Sequence, residues 1–241
     1  MEILFILIVL CYLFLQFIEF FAFGSRIAGM MSSFLAFGTT LHQTIYTASR
    51  FLLVPMLPSL GFVVEHGIER FEYYILVSSS LLLVLISCYW SYIKIDSIQC
   101  YFQRLFHLNK SGNIVKTFFS SIFTEYNLRP KIERVNFGEV SIDLKTLVVS
   151  SIAYFFLVSG FFFAFFFAII YPEYRLTLSQ LTAAFHGIGA VIFAFYLDPM
   201  LSSEMDLRKT KWKSRAKSIM IGRLISYIVS FLFFTYTFYI F

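Results

Sequence analysis

Residues 147–170 read LVVSSIAYFFLVSGFFFAFFFAII, a run with no charged side chain. An α-helix needs about 20 apolar residues to cross the hydrocarbon core of a bilayer. The run therefore reads as a transmembrane helix, and it sets the class of the whole chain. Five further windows have the same character: 3–23, 30–60 (within an apolar stretch that reaches 64), 73–93, 178–197 and 219–241. Helices of this kind satisfy their own backbone hydrogen bonds, as lipid requires. The expected fold is an all-α integral membrane protein, a polytopic bundle of about six transmembrane helices forming one domain over 1–241. Composition agrees. Charged residues make up 14% of the 241, against roughly 25% in soluble domains, and mean hydropathy is +0.78. So few charges cannot cover a water-facing surface.

The chain opens Met1-Glu2 and then turns apolar, without the positive start or the small-residue cleavage site of a secretory signal. The first window is expected to be a retained helix. The second is longer than one crossing needs and contains Arg50, Pro55 and Pro58, so a kink or a broken end is expected at the prolines. The Phe-rich window 147–170 is apolar all round and is expected at the lipid-facing periphery of the bundle.

With six helices the basic residues sort to one side. Of the 19 Lys and Arg, fifteen fall near Arg26, in 94–145 or in 199–217. Only Arg70 and Arg175 fall on the opposite side, while Arg50 and Arg223 lie within or at the start of helices. Basic loops stay in the cytoplasm, so both termini are expected outside. Dropping one helix would scatter the basic loops over both faces. The cytoplasmic loop 94–145 interleaves Ile98, Tyr101, Phe102, Leu105 and Phe106 with Gln99, Gln103 and Arg104. That spacing fits an amphipathic helix at the membrane surface, and Lys110-Ser111-Gly112-Asn113 reads as a turn. The run Arg208, Lys209, Lys211, Lys213, Arg215, Lys217 is placed to meet anionic membrane lipids or to act as a plain topology determinant.

Ionisable side chains inside a bilayer are expensive unless they face an interior or water. Glu19 and Arg50 stand out. On a helical wheel of the second window Ser32, Thr39, His42, Gln43, Tyr46, Ser49 and Arg50 share a sector of about 120°. Such a stripe lines a cavity or is buried against another helix by hydrogen bonds; an Arg in it favours the cavity, since it is hard to bury dry. No carboxylate lies on Arg50's own helix, so its guanidinium is expected to meet water, a partner helix or an anionic ligand. Glu19 stands seven residues before Arg26, on the same face; it pairs with Arg50 or Arg26, or it titrates. The fifth window carries Ser179, Thr182, His186, Gly189 and Ala190 at helical spacing, a face for close packing or for a passage. Asp198-Pro199 is expected to close that helix.

No HExxH, GxSxG, P-loop or GxGxxG occurs, and His42, His66, His107 and His186 form no metal pattern. Cys11, Cys88 and Cys100 show no pairing or ligand spacing and read as apolar filler. No catalytic residue, metal, cofactor or nucleic-acid partner is indicated, and the oligomeric state is left open.

An ordered set of phrases carries a family resemblance. They are Ile18-Glu19, Ser25-Arg26-Ile27-Ala28-Gly29, and Ser49-Arg50 followed by Pro55 and Pro58. Then come Pro172-Glu173-Tyr174-Arg175 with Ser179-Gln180, His186-Gly187-Ile188, Leu197-Asp198-Pro199 with Asp206, and Gly222-Arg223-Leu224. From about Glu19 to Leu224 the chain resembles the Amj family, the alternate lipid II flippases of bacteria. It departs where an Asn is expected before Gly187, since His186 stands there. The resemblance implies a transporter in the bacterial cytoplasmic membrane that moves an undecaprenyl-diphosphate-linked cell-wall precursor to the outer leaflet. A diphosphate crossing hydrocarbon needs a cation-bearing groove, and Arg suits it because its planar fork donates two hydrogen bonds at once. On this reading Arg26 at the cytoplasmic entrance, Arg50 deeper and Arg223 are the candidate diphosphate ligands. Glu19, Thr39, His42, Gln43, Tyr46, Ser49, Thr182, His186 and Asp198 would line or couple the path. Two alternatives stand beside it: a membrane-embedded enzyme acting on an undecaprenyl phosphate lipid, and a structural partner of the cell-wall machinery.

Overall fold

The computed structural model describes residues 2–108, 135–207 and 209–240. The turn expected at Lys110–Asn113, most of the loop's central charges and Arg208 lie outside them. Among the described residues there is no strand, and six helical segments are long and apolar enough to cross a membrane. The protein is an all-α polytopic membrane protein. The helices of the described residues are α1 (Glu2–Met31), α2 (Leu35–Ser49), α3 (Leu53–Glu65), α4 (Arg70–Ile93), α5 (Ile95–Leu108), α6 (Leu144–Ile170), α7 (Arg175–Ile192), α8 (Asp198–Asp206) and α9 (Lys211–Ile240). The pairs α2–α3 and α7–α8 each make one crossing.

Along α1, Ile8, Tyr12, Leu15 and Glu19 turn inward at helical spacing, and from Ala22 to Gly29 every residue is buried because other helices close around that end. A tight hairpin returns the chain into α2. Ser33 takes a left-handed backbone (φ 61°), and Gly29 faces Gly38 so closely that a Cβ on Gly38 would sit 2.6 Å from the Ser25 carbonyl oxygen. Ser32 is therefore in the turn and not on the second crossing, which shortens the polar stripe by one residue. The break in that crossing is a 3-10 turn at Arg50–Leu52, just ahead of the prolines. Pro55 has no N–H for the Phe51 carbonyl and Pro58 none for Val54. Gly67, at φ +75°, ends α3. Its N–H bonds Val64 O and that of Ile68 bonds Val63 O, the paired reverse bonds of a Schellman cap.

The Phe-rich helix α6 is not at the periphery. Two thirds of its most apolar stretch is buried (67%), against 6% for the fifth crossing. A helix apolar all round suits a membrane protein's core as well as its lipid face, so its neighbours decide. Here Tyr12 and Tyr73 donate hydroxyl hydrogens to the carbonyls of Val158 (3.3 Å) and Phe162 (2.8 Å), using the acceptor capacity that helical carbonyls keep in reserve. Rings of Phe166 and Phe234 meet edge to face at 5.1 Å. On the other flank Gly189 of α7 packs against α6 where a Cβ would lie 2.6 Å from Ala153 O. The small-residue face of the fifth crossing is in this respect a packing face.

Asp198-Pro199 does not close the fifth crossing. A π-helical turn at Phe193–Leu197 widens the backbone ahead of Pro199, and the helix continues to Asp206. Wider turns of this kind accommodate a missing N–H without ending the helix. The amphipathic α5 forms as the spacing predicts, but α1 covers its apolar face. Ile98 presses on Gly24, and Gln99 and Gln103 are buried beside Phe102 and Phe106 while Arg104 is exposed.

Candidate functional site

The deepest polar cluster joins α1, α2 and α9. Glu19 (5% exposed) and Gln16 (3%) lie on one face of α1, three residues apart. Arg223 (4% exposed) reaches them from α9. Its Nη2 donates to Glu19 Oε2 at 3.0 Å and to Gln16 Oε1 at 2.7 Å, and its Nε donates to the Tyr227 hydroxyl at 3.0 Å. Tyr227 in turn donates to Gln16 Oε1 at 2.9 Å. The guanidinium carbon stands 5.0 Å from the centre of the Tyr154 ring, so an aromatic face adds to its stabilisation. The Nε and Nη2 donors of Arg223 are thus answered, as a buried charge requires.

Arg50 approaches the same carboxylate from the other side. Its Nη2 lies 3.1 Å from Glu19 Oε1, an oxygen with no aligned hydrogen bond among the described residues. It donates to the Tyr46 hydroxyl and stacks over the Tyr46 ring at 4.4 Å. Arg50 is consequently not unpaired: α1 supplies the carboxylate that its own helix lacks. It nevertheless keeps 23% of its side chain exposed. One carboxylate therefore serves two guanidiniums, and the trio of Glu19, Arg50 and Arg223 carries a net positive charge.

Two cavities flank the trio. The inner one, about 30 Å³, is lined by Glu19, His42, Tyr46, Tyr154 and Arg223 with Phe23, Leu157 and Phe193. That is room for about one water. His42 Nδ1 has no hydrogen-bond partner among the described residues. The outer one, about 220 Å³, lies between Arg50, Leu53 and Leu57 on one side and Thr182, Ala183 and His186 on the other, with Phe161 behind.

The structure thus brings Glu19, His42, Tyr46, Arg50, Arg223, Thr182 and His186 to two adjoining cavities. It leaves five candidates out: Thr39, Gln43, Ser49, Arg26 and Asp198. Gln43 is exposed and Thr39 half-buried, and neither lines a cavity described here. Ser49 is buried and bonds the Tyr46 carbonyl of its own helix (2.7 Å). Arg26 (1% exposed) is engaged elsewhere. It donates to Asp198 Oδ1 and to Ser202 Oγ, both at 2.5 Å, tying α1 to α8. Arg26 is not Glu19's partner and does not face the cavities, so a two-step path from Arg26 to Arg50 has no geometric basis. Gln16, Tyr154 and Tyr227 were missed by sequence reasoning. Gln16 three residues before Glu19 and Tyr227 four after Arg223 are the spacings that carry the signal.

Fold and site together define a multi-pass membrane protein with a cationic site inside its bundle. The chain belongs to the Amj family: the family model, described as Alternate to MurJ, matches residues 11–237. No curated protein and no solved structure matches it.

Proposed function

We propose that the protein is a flippase of the bacterial cytoplasmic membrane that moves undecaprenyl-diphosphate-linked peptidoglycan precursor, lipid II, to the outer leaflet, with both termini outside. The observation that supports this reading is the surplus guanidinium. Arg50 and Arg223 share one carboxylate, and Arg50 is the partly exposed member, lining the outer cavity. An arriving diphosphate competes with Glu19 for Arg50, while Arg223 holds Glu19 in place. The guanidinium fork then binds phosphate oxygens in a bidentate way.

Size sets the next step. A cavity of about 220 Å³ falls below the roughly 300–1,000 Å³ of drug-sized ligand sites. It takes a diphosphate but not the sugars and peptide attached to it, so passage of the whole head group requires α2–α3 and α7 to part. The crossing that contains α7 is the least buried of the six, and its close packing is on α6, at Gly189, so parting from α2–α3 leaves that packing in place.

The experiment is reconstitution of the pure protein in liposomes carrying labelled lipid II, with each leaflet probed over time. Label should reach the second leaflet faster than in protein-free liposomes, and Arg50→Ala should abolish the gain. No acceleration by the wild type would refute the proposal. Release of inorganic phosphate from undecaprenyl diphosphate would instead move the reading to a membrane enzyme.

A further inference from the structure

A second site lies on the seam between α6 and α9, away from the central network. The two helices run side by side from the basic end of the molecule. Ser214 Oγ donates to Ser141 O at 2.8 Å, Lys217 Nζ to Val140 O at 2.7 Å, and the Asp143 N–H to Ser218 Oγ at 2.8 Å. Farther in, Gly222 leaves no room for a Cβ against Ser150. At the basic end the seam holds a pocket of about 500 Å³ whose lining includes Ser141, Asp143, Thr210, Lys211, Lys213 and Arg215. Arg215 is engaged by Glu204 at 2.9 Å and by Asp143 at 3.7 Å. Lys211 and Lys213 meet no carboxylate among the described residues. About one turn along α6 from Asp143, or about 6 Å, begins an apolar groove of about 400 Å³. Its walls include Leu147, Ser151 and Phe155 from α6 and Ile225, Val229 and Phe233 from α9.

We propose that this seam binds one anionic phospholipid, with its phosphate between Lys211 and Lys213 and one acyl chain in the groove. The order of the two features is that of a lipid: charge at the end of the crossing, then an apolar channel reaching into the membrane. Basic pockets between transmembrane helices take anionic head groups for this reason. Inorganic phosphate would use only the pocket. A zwitterionic lipid would use the groove but bring the lysines no net charge. The site is independent of the transport reading, because none of its residues touches Glu19, Arg50 or Arg223.

The test is native mass spectrometry of the full chain in detergent, titrated with phosphatidylglycerol or with phosphatidylcholine of the same chains. The wild type should retain one phosphatidylglycerol in preference to phosphatidylcholine. A lysine near a charged surface is worth about fivefold in affinity, so the double variant Lys211→Gln, Lys213→Gln should bind about 30-fold more weakly. Val229→Trp, which fills the groove from an exposed position, should lower retention as well. Lys94→Gln, another exposed lysine, should change nothing. Equal retention of the two lipids, survival of binding in either the lysine or the groove variant, or complete displacement by equimolar inorganic phosphate would overturn the proposal.

Discussion

Replacing Glu19 by Gln removes one charge from between two guanidiniums and nearly preserves shape. At an effective dielectric of 20, unit charges 4 Å apart attract by about 4 kcal/mol, and Glu19 faces Arg223 at 3.0 Å and Arg50 at 3.1 Å. That gross attraction is offset by desolvation of all three groups, and the net cost of breaking a buried pair is about 3–5 kcal/mol. Two features move the expectation to the low end. Gln keeps an oxygen that accepts from Arg223, and Arg223 is still held by Gln16 and Tyr227. The expected loss is about 3 kcal/mol, more than a hundredfold in the folded-to-unfolded ratio. Its distribution is the sharper test. Arg223 is 5% exposed as a side chain and Arg50 23%, so water screens the second pair more. In double-mutant cycles, read by denaturant unfolding in bicelles, Glu19–Arg223 should couple by about 2–3 kcal/mol and Glu19–Arg50 by about 1 kcal/mol or less. A loss below about 1 kcal/mol for Glu19→Gln, or a stronger coupling to Arg50, would refute the assignment of Glu19 as the structural partner of Arg223.

Arg50→Ala should stay within about 1 kcal/mol of wild-type stability, since Glu19 keeps Arg223, yet lose transport in the liposome assay; Arg50→Lys should recover part of it because a point charge lacks the fork. Full transport by the alanine variant would sink the role given to Arg50. At the α1–α8 tie the two partners should differ: Asp198→Ala strands a guanidinium that is 1% exposed and should lose about 3–5 kcal/mol, whereas Arg26→Ala strands a carboxylate that is 26% exposed and should lose about 1–3 kcal/mol. Equal losses on unfolding would contradict that account. Gly38→Ala drives a methyl to 2.6 Å from Ser25 O and should lower stability by about 1–3 kcal/mol; an unchanged melting temperature would show that the α1–α2 hairpin yields. For orientation, a cysteine at Glu69 should react with an impermeant reagent in intact cells and one at Lys211 only after the membrane is opened; the reverse pattern would invert the topology.

Hydrophobic runs made the crossings readable because the bilayer imposes their length. They did not reveal which crossing is central. Residues 147–170 offer phenylalanine to every side, and a lipid tail and a protein core are equally good partners for it. The small face of the fifth crossing is what turns α6 inward, since Gly189 admits the Ala153 carbonyl. Arg50 and Glu19 are visible as charges out of place, but which arginine takes Glu19 is not, because a wheel drawn for one helix carries no information about its neighbours. Hence the sequence leaves Glu19 between Arg50, Arg26 and titration, and it sets Arg26 on the path although its acid, Asp198, stands 172 positions away. Asp198 itself was read as a helix end because Pro199 follows it. The π turn that carries the helix through has no sequence signature beyond the aromatic run it occupies.

The two ionic contacts of α1 differ in what stability alone explains. Arg26 and Asp198 are one cation and one anion, a neutral tie between α1 and α8. Around Glu19 the count is uneven. Arg223 is engaged through Nε and Nη2 by Glu19, Gln16 and Tyr227, and that set would be neutral without Arg50. Adding a second guanidinium brings repulsion from Arg223 and the desolvation of another charge, for a share in a carboxylate already in use. Apolar side chains of similar volume often match or exceed such ions in stability. Arg50 is therefore the member of the trio whose presence folding does not require, and it is also the one at the cavity and partly in contact with the outside. An anion that arrives and leaves accounts for both facts. A second resident carboxylate would account for neither, because it would close the site that the first one leaves half open.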